Sequence, residues 1–208
     1  MNSGFLALFT AATLALGAIP VHGQNNLALP EQPSAQLVES SHILFDGRST
    51  LYLIRHLPVS SFPDLPASVQ DQLNLRGCLI PQTYEARQPE NVVHASLEGR
   101  GSSDWAVLCS AQGTVSLLVF FASGSGQPFT LASAPETERL QSHDASGVLG
   151  FNWGIDPASP DQVRDAQAGL ERRPPKLDHD TLADSIVEGR TVYHFYLKRA
   201  WVVLGMPL

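Results

Sequence analysis

Apolar and polar positions divide the chain into one long apolar run near its start and a series of short apolar segments separated by turn residues. Residues 42–45 and 49–55 flank Asp46-Gly47, a dipeptide that supplies the positive φ of a tight hairpin turn, and so predict two antiparallel strands. Past Pro58 and Pro63, the apolar residues Leu65, Val69 and Leu73 recur at four-residue spacing. This predicts a helix over about 64–76, capped by Asp64, tolerant of Pro66 in its first turn and stopped by Gly77. Residues 92–97, 104–110 and 114–122 read as a three-stranded antiparallel meander. Its third run is apolar on both faces from Leu117 onward, as in a central strand covered on both sides. Further strands are expected over 128–132 and near 148–151. Ser159-Pro160-Asp161-Gln162 predicts a second helix from its cap, its Pro, its acid and its Gln, with Gly169 ending it. Asp180 reads as the cap of a third short helix carrying Leu182 and Ile186 on one face and ending at Gly189. Residues 191–197 and 201–204 around Lys198-Arg199-Ala200 predict a closing hairpin. The expected class is α+β: an antiparallel sheet of about five to eight strands with two or three short helices and one disulfide.

The long apolar run, residues 5–19, is short for a membrane span, and Pro20 breaks it. Val21-His22-Gly23 suits the −3 and −1 positions of a cleavage site, so residues 1–23 read as a secretory signal peptide cut near Gly23/Gln24, although no Lys or Arg precedes the run. Polar residues 24–40, with Pro30 and Pro33, read as a flexible lead-in, and residues 41–208 as a single domain. The expectation is an exported protein, periplasmic or extracellular, with no membrane span after cleavage. Export bears on the cysteines. In an oxidising compartment Cys78 and Cys109 have one intramolecular pairing, which closes a loop worth about 3–4 kcal/mol. The alternative is two free thiols. The bridge is preferred because each Cys lies in a strongly patterned apolar context.

Composition narrows the picture further. Of 208 residues, 43% are hydrophobic and 16% charged, which excludes a disordered chain. Thirteen Lys+Arg against 20 Asp+Glu give a net charge of −7, which excludes a basic nucleic-acid binder of the usual kind.

Several ordered blocks carry a resemblance. Arg76-Gly77-Cys78-Leu79-Ile80-Pro81-Gln82 is followed by Glu90-Asn91-Val92-Val93-His94, then by Asp104-Trp105-Ala106-Val107-Leu108-Cys109-Ser110, and later by Leu177-Asp178-His179-Asp180. Over roughly residues 64–204 the chain resembles an uncharacterised family of exported bacterial proteins with GCxIPQ, DWAVLCS and LDHD blocks in that order. The resemblance implies a shared fold and export, and no activity. Where such proteins often carry Gly after LDHD, this chain has Thr181.

Candidate chemistry is sparse. Leu51–Ile54 followed by Arg55-His56 looks like the strand end of a histidine phosphatase, and His179-Asp180 echoes a His-Asp dipeptide, but Leu57 stands where that motif needs Gly. The plainer reading is a strand ending in a solvated Arg-His pair. Asp178, His179 and Asp180 offer three ligands or an acid/base pair, but adjacent residues rarely converge on one ion, so His94, His143 or His194 would have to join them. The plainer reading makes Asp180 a helix cap and Asp178 a turn brace. Asp104 with Ser102 and Ser103 reads as turn chemistry before a cation loop. No HExxH, GxSxG, P-loop or dinucleotide fingerprint is present, and no cofactor is expected. The leading expectation is a non-catalytic binding or envelope-associated module whose partner is an unidentified protein or envelope component. The competing one is a small exported hydrolase or metal-dependent enzyme built on His94, Asp178, His179 and Asp180.

Overall fold

A computed structural model describes residues 36–124, 127–170 and 176–204, all within one structural unit, Pro33–Leu208. The expected signal peptide and its cleavage point lie outside the described residues.

The first hairpin joins β1 (Leu37–Phe45) to β2 (Arg48–Pro58) through Asp46 and Gly47, both at positive φ as the sequence requires. The strand begins at Leu37, so residues 37–40, expected in the lead-in, are paired: Leu37 lies opposite His56 and Glu39 opposite Ile54. The polar pattern of this stretch gave no strand signal because β1 pairs only with β2 and is exposed over most of its length. Beyond a short 3-10 turn (Val59–Ser61), α1 (Ala67–Leu75) starts after Pro66, not at the expected Asp64 cap. Its other end follows the sequence. Gly77 at φ 69 donates to Asn74 O (2.9 Å) and Cys78 donates to Leu73 O (3.0 Å), a Schellman closure.

The predicted meander is present as β4 (Val92–Ala95), β5 (Asp104–Ala111) and β6 (Thr114–Phe120), preceded by β3 (Leu79–Gln82) and followed by β7 (Phe129–Pro135), β8 (Leu140–Ser142) and β9 (Leu149–Phe151). These strands form one nine-stranded sheet in the order β7-β6-β5-β3-β2-β9-β8, with β1 on β2 and β4 on β5. β9 runs parallel to β2, an exception to the all-antiparallel expectation. A second, four-stranded antiparallel sheet contains β10 (Trp153–Ala158), β11 (Thr181–Ile186), β12 (Thr191–Leu197) and β13 (Ala200–Leu204). The closing hairpin is present, and its turn holds Lys198 and Arg199 at positive φ. The molecule is thus mostly β, with two α-helices among the described residues and sheets of nine and four strands in place of one sheet of five to eight.

The third predicted helix is a strand. Leu182 packs in the core between the sheets and Ala183 in the core beneath α2 (Pro160–Ala166), so β11 is covered on both faces. Asp180 therefore caps no helix.

Side-chain alternation sets out the layers. On one face of the large sheet, Tyr52, Ile54, Leu108 and Leu117 pack with Trp153, Ile155 and Leu182 of the small sheet. On the other face, Val107, Cys109, Leu118 and Phe120 pack under Val69 and Leu73 of α1. α2 covers the far side of the small sheet through Val163, against Ala183 and Phe195. The order of layers is α1, large sheet, small sheet, α2. Cys78 and Cys109 form the expected disulfide, with Cα atoms 5.1 Å apart, tying the end of α1 to the second strand of the meander.

Candidate functional site

Gln82, Asn91 and Asp104 of the ordered blocks hold backbone. Gln82 exchanges two hydrogen bonds with the main chain of Glu90, donating to its carbonyl (3.1 Å) and accepting from its N–H (2.9 Å). Asn91, at φ 68 and buried, donates to Pro81 O (2.7 Å) and to Trp153 O (3.2 Å) and accepts from Ile155 N–H (3.1 Å). It thereby bolts β3 to β10 across the two sheets. Asp104, fully buried, accepts from the N–H groups of Leu97 (2.9 Å), Glu98 (2.7 Å) and Ala122 (2.9 Å) and from the Ser102 hydroxyl. The Asp-Ser turn is thus a brace, since each bond to a buried carboxylate satisfies a donor that has no strand partner.

The other candidates fall into separate pairs. His179 Nδ1–H donates to Asp178 Oδ1 (2.7 Å), its Nε2 lies 3.1 Å from Tyr196 O, and its ring stacks on Phe195. The hydrogen bond from His179 is the main cause that holds the exposed Asp178 carboxyl below its ordinary pKa. Asp180 bonds the chain after β4 in both directions: its N–H donates to Ser96 O (3.1 Å) and its Oδ2 accepts from Ser96 N–H (3.1 Å). His194 donates to Asp184 Oδ2 (3.1 Å), whose other oxygen accepts from Trp153 Nε1–H (2.6 Å). His143 stacks on Tyr84. His94 stacks on Trp105, ring centroids 4.4 Å apart, and shares a 2.7 Å hydrogen bond with Ser103 Oγ. His94 is not brought onto Asp178 or His179; the links between these segments run through Asp180 and Ser96 backbone.

An apolar groove of about 540 Å³ opens between the start of α1 and the ends of β5 and β6. Val69, Ser103, Trp105, Phe120 and Phe121 line it. His94 therefore stands against two of its wall residues, Ser103 and Trp105. Phe121 continues into an aromatic cluster with Phe129, Tyr196 and Trp201. A second, more open depression of about 680 Å³ is lined by Glu85, Arg87, Glu90, Asp156 and Glu188 among others.

Sequence reasoning missed one cluster. His56, expected in solvent, is 2% exposed and hydrogen-bonds Glu136. Among the described residues the group of three potential metal ligands within mutual reach is Glu39, His56 and Glu136, not the Asp178–Asp180 block. No helix among the described residues is long and apolar enough to cross a membrane. No family model matches the chain, and neither the curated proteins nor the solved structures contain a match.

Proposed function

We propose that the protein is an exported, non-catalytic binding module, associated with the cell envelope, that takes its ligand in the apolar groove over Trp105, Phe120 and Phe121. One observation carries the reading. Gln82, Asn91, Asp104 and Asp180 are engaged in bonds that hold backbone, while a concave groove walled by Trp105, Phe120 and Phe121 opens beside Asp104. Concave apolar surface with a few polar groups at its rim is the general form of a binding site. Here Ser103 lies at the rim, with His94 hydrogen-bonded behind it. The disulfide and the apolar run at residues 5–19 support export, and the resemblance to exported bacterial proteins agrees with it.

Titration of the isotope-labelled, oxidised protein with lipid, glycan and peptide fractions of a bacterial envelope tests the reading. The expected result is a set of amide shifts confined to Val69, Ser103, Trp105, Phe120 and Phe121 with one fraction. A Trp105→Ala variant should bind that fraction about tenfold or more weakly, since a buried aromatic anchor dominates such contacts. Absence of shifts at these residues with every fraction overturns it. A hydrolase reading draws on the His94–Ser103 hydrogen bond at the groove rim. Release of a product from any fraction, lost in His94→Gln, would favour that reading instead.

A further inference from the structure

The cluster at the base of the first hairpin lies away from the groove and has a different chemistry. Along β2, Tyr52, Ile54 and His56 alternate onto the face turned toward the small sheet. Opposite Ile54, Glu39 of β1 shares that face. Glu136 follows β7, where a short 3-10 turn (Glu136–Arg139) begins, and its N–H is fixed by Gly113 O at 3.0 Å. The two strands of one hairpin and a turn distant in sequence thus deliver one imidazole and two carboxylates to one place. One ligand atom from each lies within 4.8 Å of the others.

Tyr52 Oη–H donates to Glu39 Oε1 (3.0 Å). Outer hydroxyls of this kind orient carboxylates in metal sites. His56 Nε2 and Glu136 Oε1 are 2.8 Å apart. Ligand atoms on one ion with bonds of about 2.0–2.2 Å are separated by about 3 Å, so the pair is already near a coordination edge. Among the described residues no Lys or Arg forms an ion pair with Glu39 or Glu136. Among the described residues His56 is thus the one basic side chain paired with either carboxylate. That ring is 2% exposed and its Nδ1 has no hydrogen-bond partner, so Nδ1 can carry the ring's proton while Nε2 faces the cluster.

We propose that Glu39, His56 and Glu136 bind a divalent transition-metal ion. One imidazole nitrogen with two carboxylate oxygens suits a first-row transition-metal ion such as Zn²⁺ or Mn²⁺ better than Ca²⁺, which takes oxygen ligands. Glu39 is exposed, so the ion enters from the hairpin side and solvent completes its shell. On binding, the ring's proton shifts from Nε2 to Nδ1, so that the neutral imidazole turns its Nε2 lone pair to the ion. The ion would clasp the edge strand β1 to the body of the large sheet. This site is independent of the groove and stands or falls apart from it.

The test uses the full oxidised protein, stripped with chelator and dialysed, then titrated calorimetrically with ZnCl₂ and with MnCl₂ while bound metal is measured by mass spectrometry. The expected result is one equivalent of at least one of the two ions and a raised Tm. His56→Gln should abolish binding. Because that substitution lies in a buried position and threatens folding, Glu39→Gln carries the decisive comparison. It keeps an acceptor for Tyr52 on an exposed strand, should leave the metal-free Tm unchanged, and should weaken the ion by about tenfold or more. Glu85→Gln, on another surface, should change nothing. Failure of both ions to bind stoichiometrically, or binding unaltered in Glu39→Gln, overturns the proposal.

Discussion

Asp104 shows how one side chain fixes a turn. Its carboxylate, without exposed surface, holds the N–H groups of Leu97, Glu98 and Ala122. Asp104→Ala leaves three backbone donors unpaired and should destabilise the fold by about 3–5 kcal/mol, read as a lowered urea midpoint. A change within experimental error would mean that water replaces the carboxylate. At Asp178 the balance is different, because the group is exposed and its bond from His179 is the main cause of its lowered pKa. A carboxyl with a folded pKa below its unfolded value contributes stability above the unfolded value, near 3.9, and loses it as pH falls through the folded one. Carboxyl-carbon NMR should therefore find Asp178 titrating below the ordinary range, and His179→Phe should return it upward. An ordinary midpoint in the unmodified protein would show that the pair does not persist in solution. Sequence reading reached these residues and identified Asp104 as turn chemistry. It missed His56, because a polar residue ending an apolar strand looks the same whether its partner is water or a glutamate 80 positions on.

Among elements, those with local signatures were legible. Asp46-Gly47, Gly77 and the Ser159 capping box each act through neighbours within a few residues, and each is where the pattern puts it. β11 was not legible. Leu182 and Ile186 have helical spacing, and no alternation betrays a strand whose two faces are both buried. Its entry is held by Asp180 through Ser96 N–H, which an amide oxygen also accepts, so Asp180→Asn should be mild for a reason other than helix capping. β9 offers a sharper test. A methyl added to Gly150 would stand 2.6 Å from Tyr84 Cβ and 3.1 Å from His143 Cδ2. Neither the backbone beneath nor a Cβ above it can swing aside as a long side chain would. Gly150→Ala should therefore cost about 1–3 kcal/mol of stability through overpacking, measured by chemical denaturation. Gain of stability, the usual result of Gly→Ala in a strand with room, would show that the Tyr84 segment is free to move.

For the whole molecule the disulfide is the covalent link between α1 and the large sheet. Cys109 sits in the face of the large sheet that α1 covers, and Cys78 follows directly on the Schellman closure of that helix. α1 has nine residues, no side-chain cap at its start and two buried side chains, Val69 and Leu73, so little besides packing and the bridge keeps it on the sheet. The bridge spans 31 positions, and opening such a loop should remove about 3–4 kcal/mol. A domain of this class has about 5–15 kcal/mol in total, and each 1.4 kcal/mol is a factor of about ten in the unfolded population. Reduction should therefore raise that population by more than about a hundredfold. Urea unfolding followed with and without reductant should show the midpoint fall. The double variant Cys78→Ser, Cys109→Ser should match the reduced protein, and a protease pulse should cut both faster than the oxidised form. Equal midpoints for oxidised and reduced protein would mean that α1 is held by packing alone. The expected loss would make the oxidised form the more stable one by a few kcal/mol, which agrees with the proposal that the protein is exported.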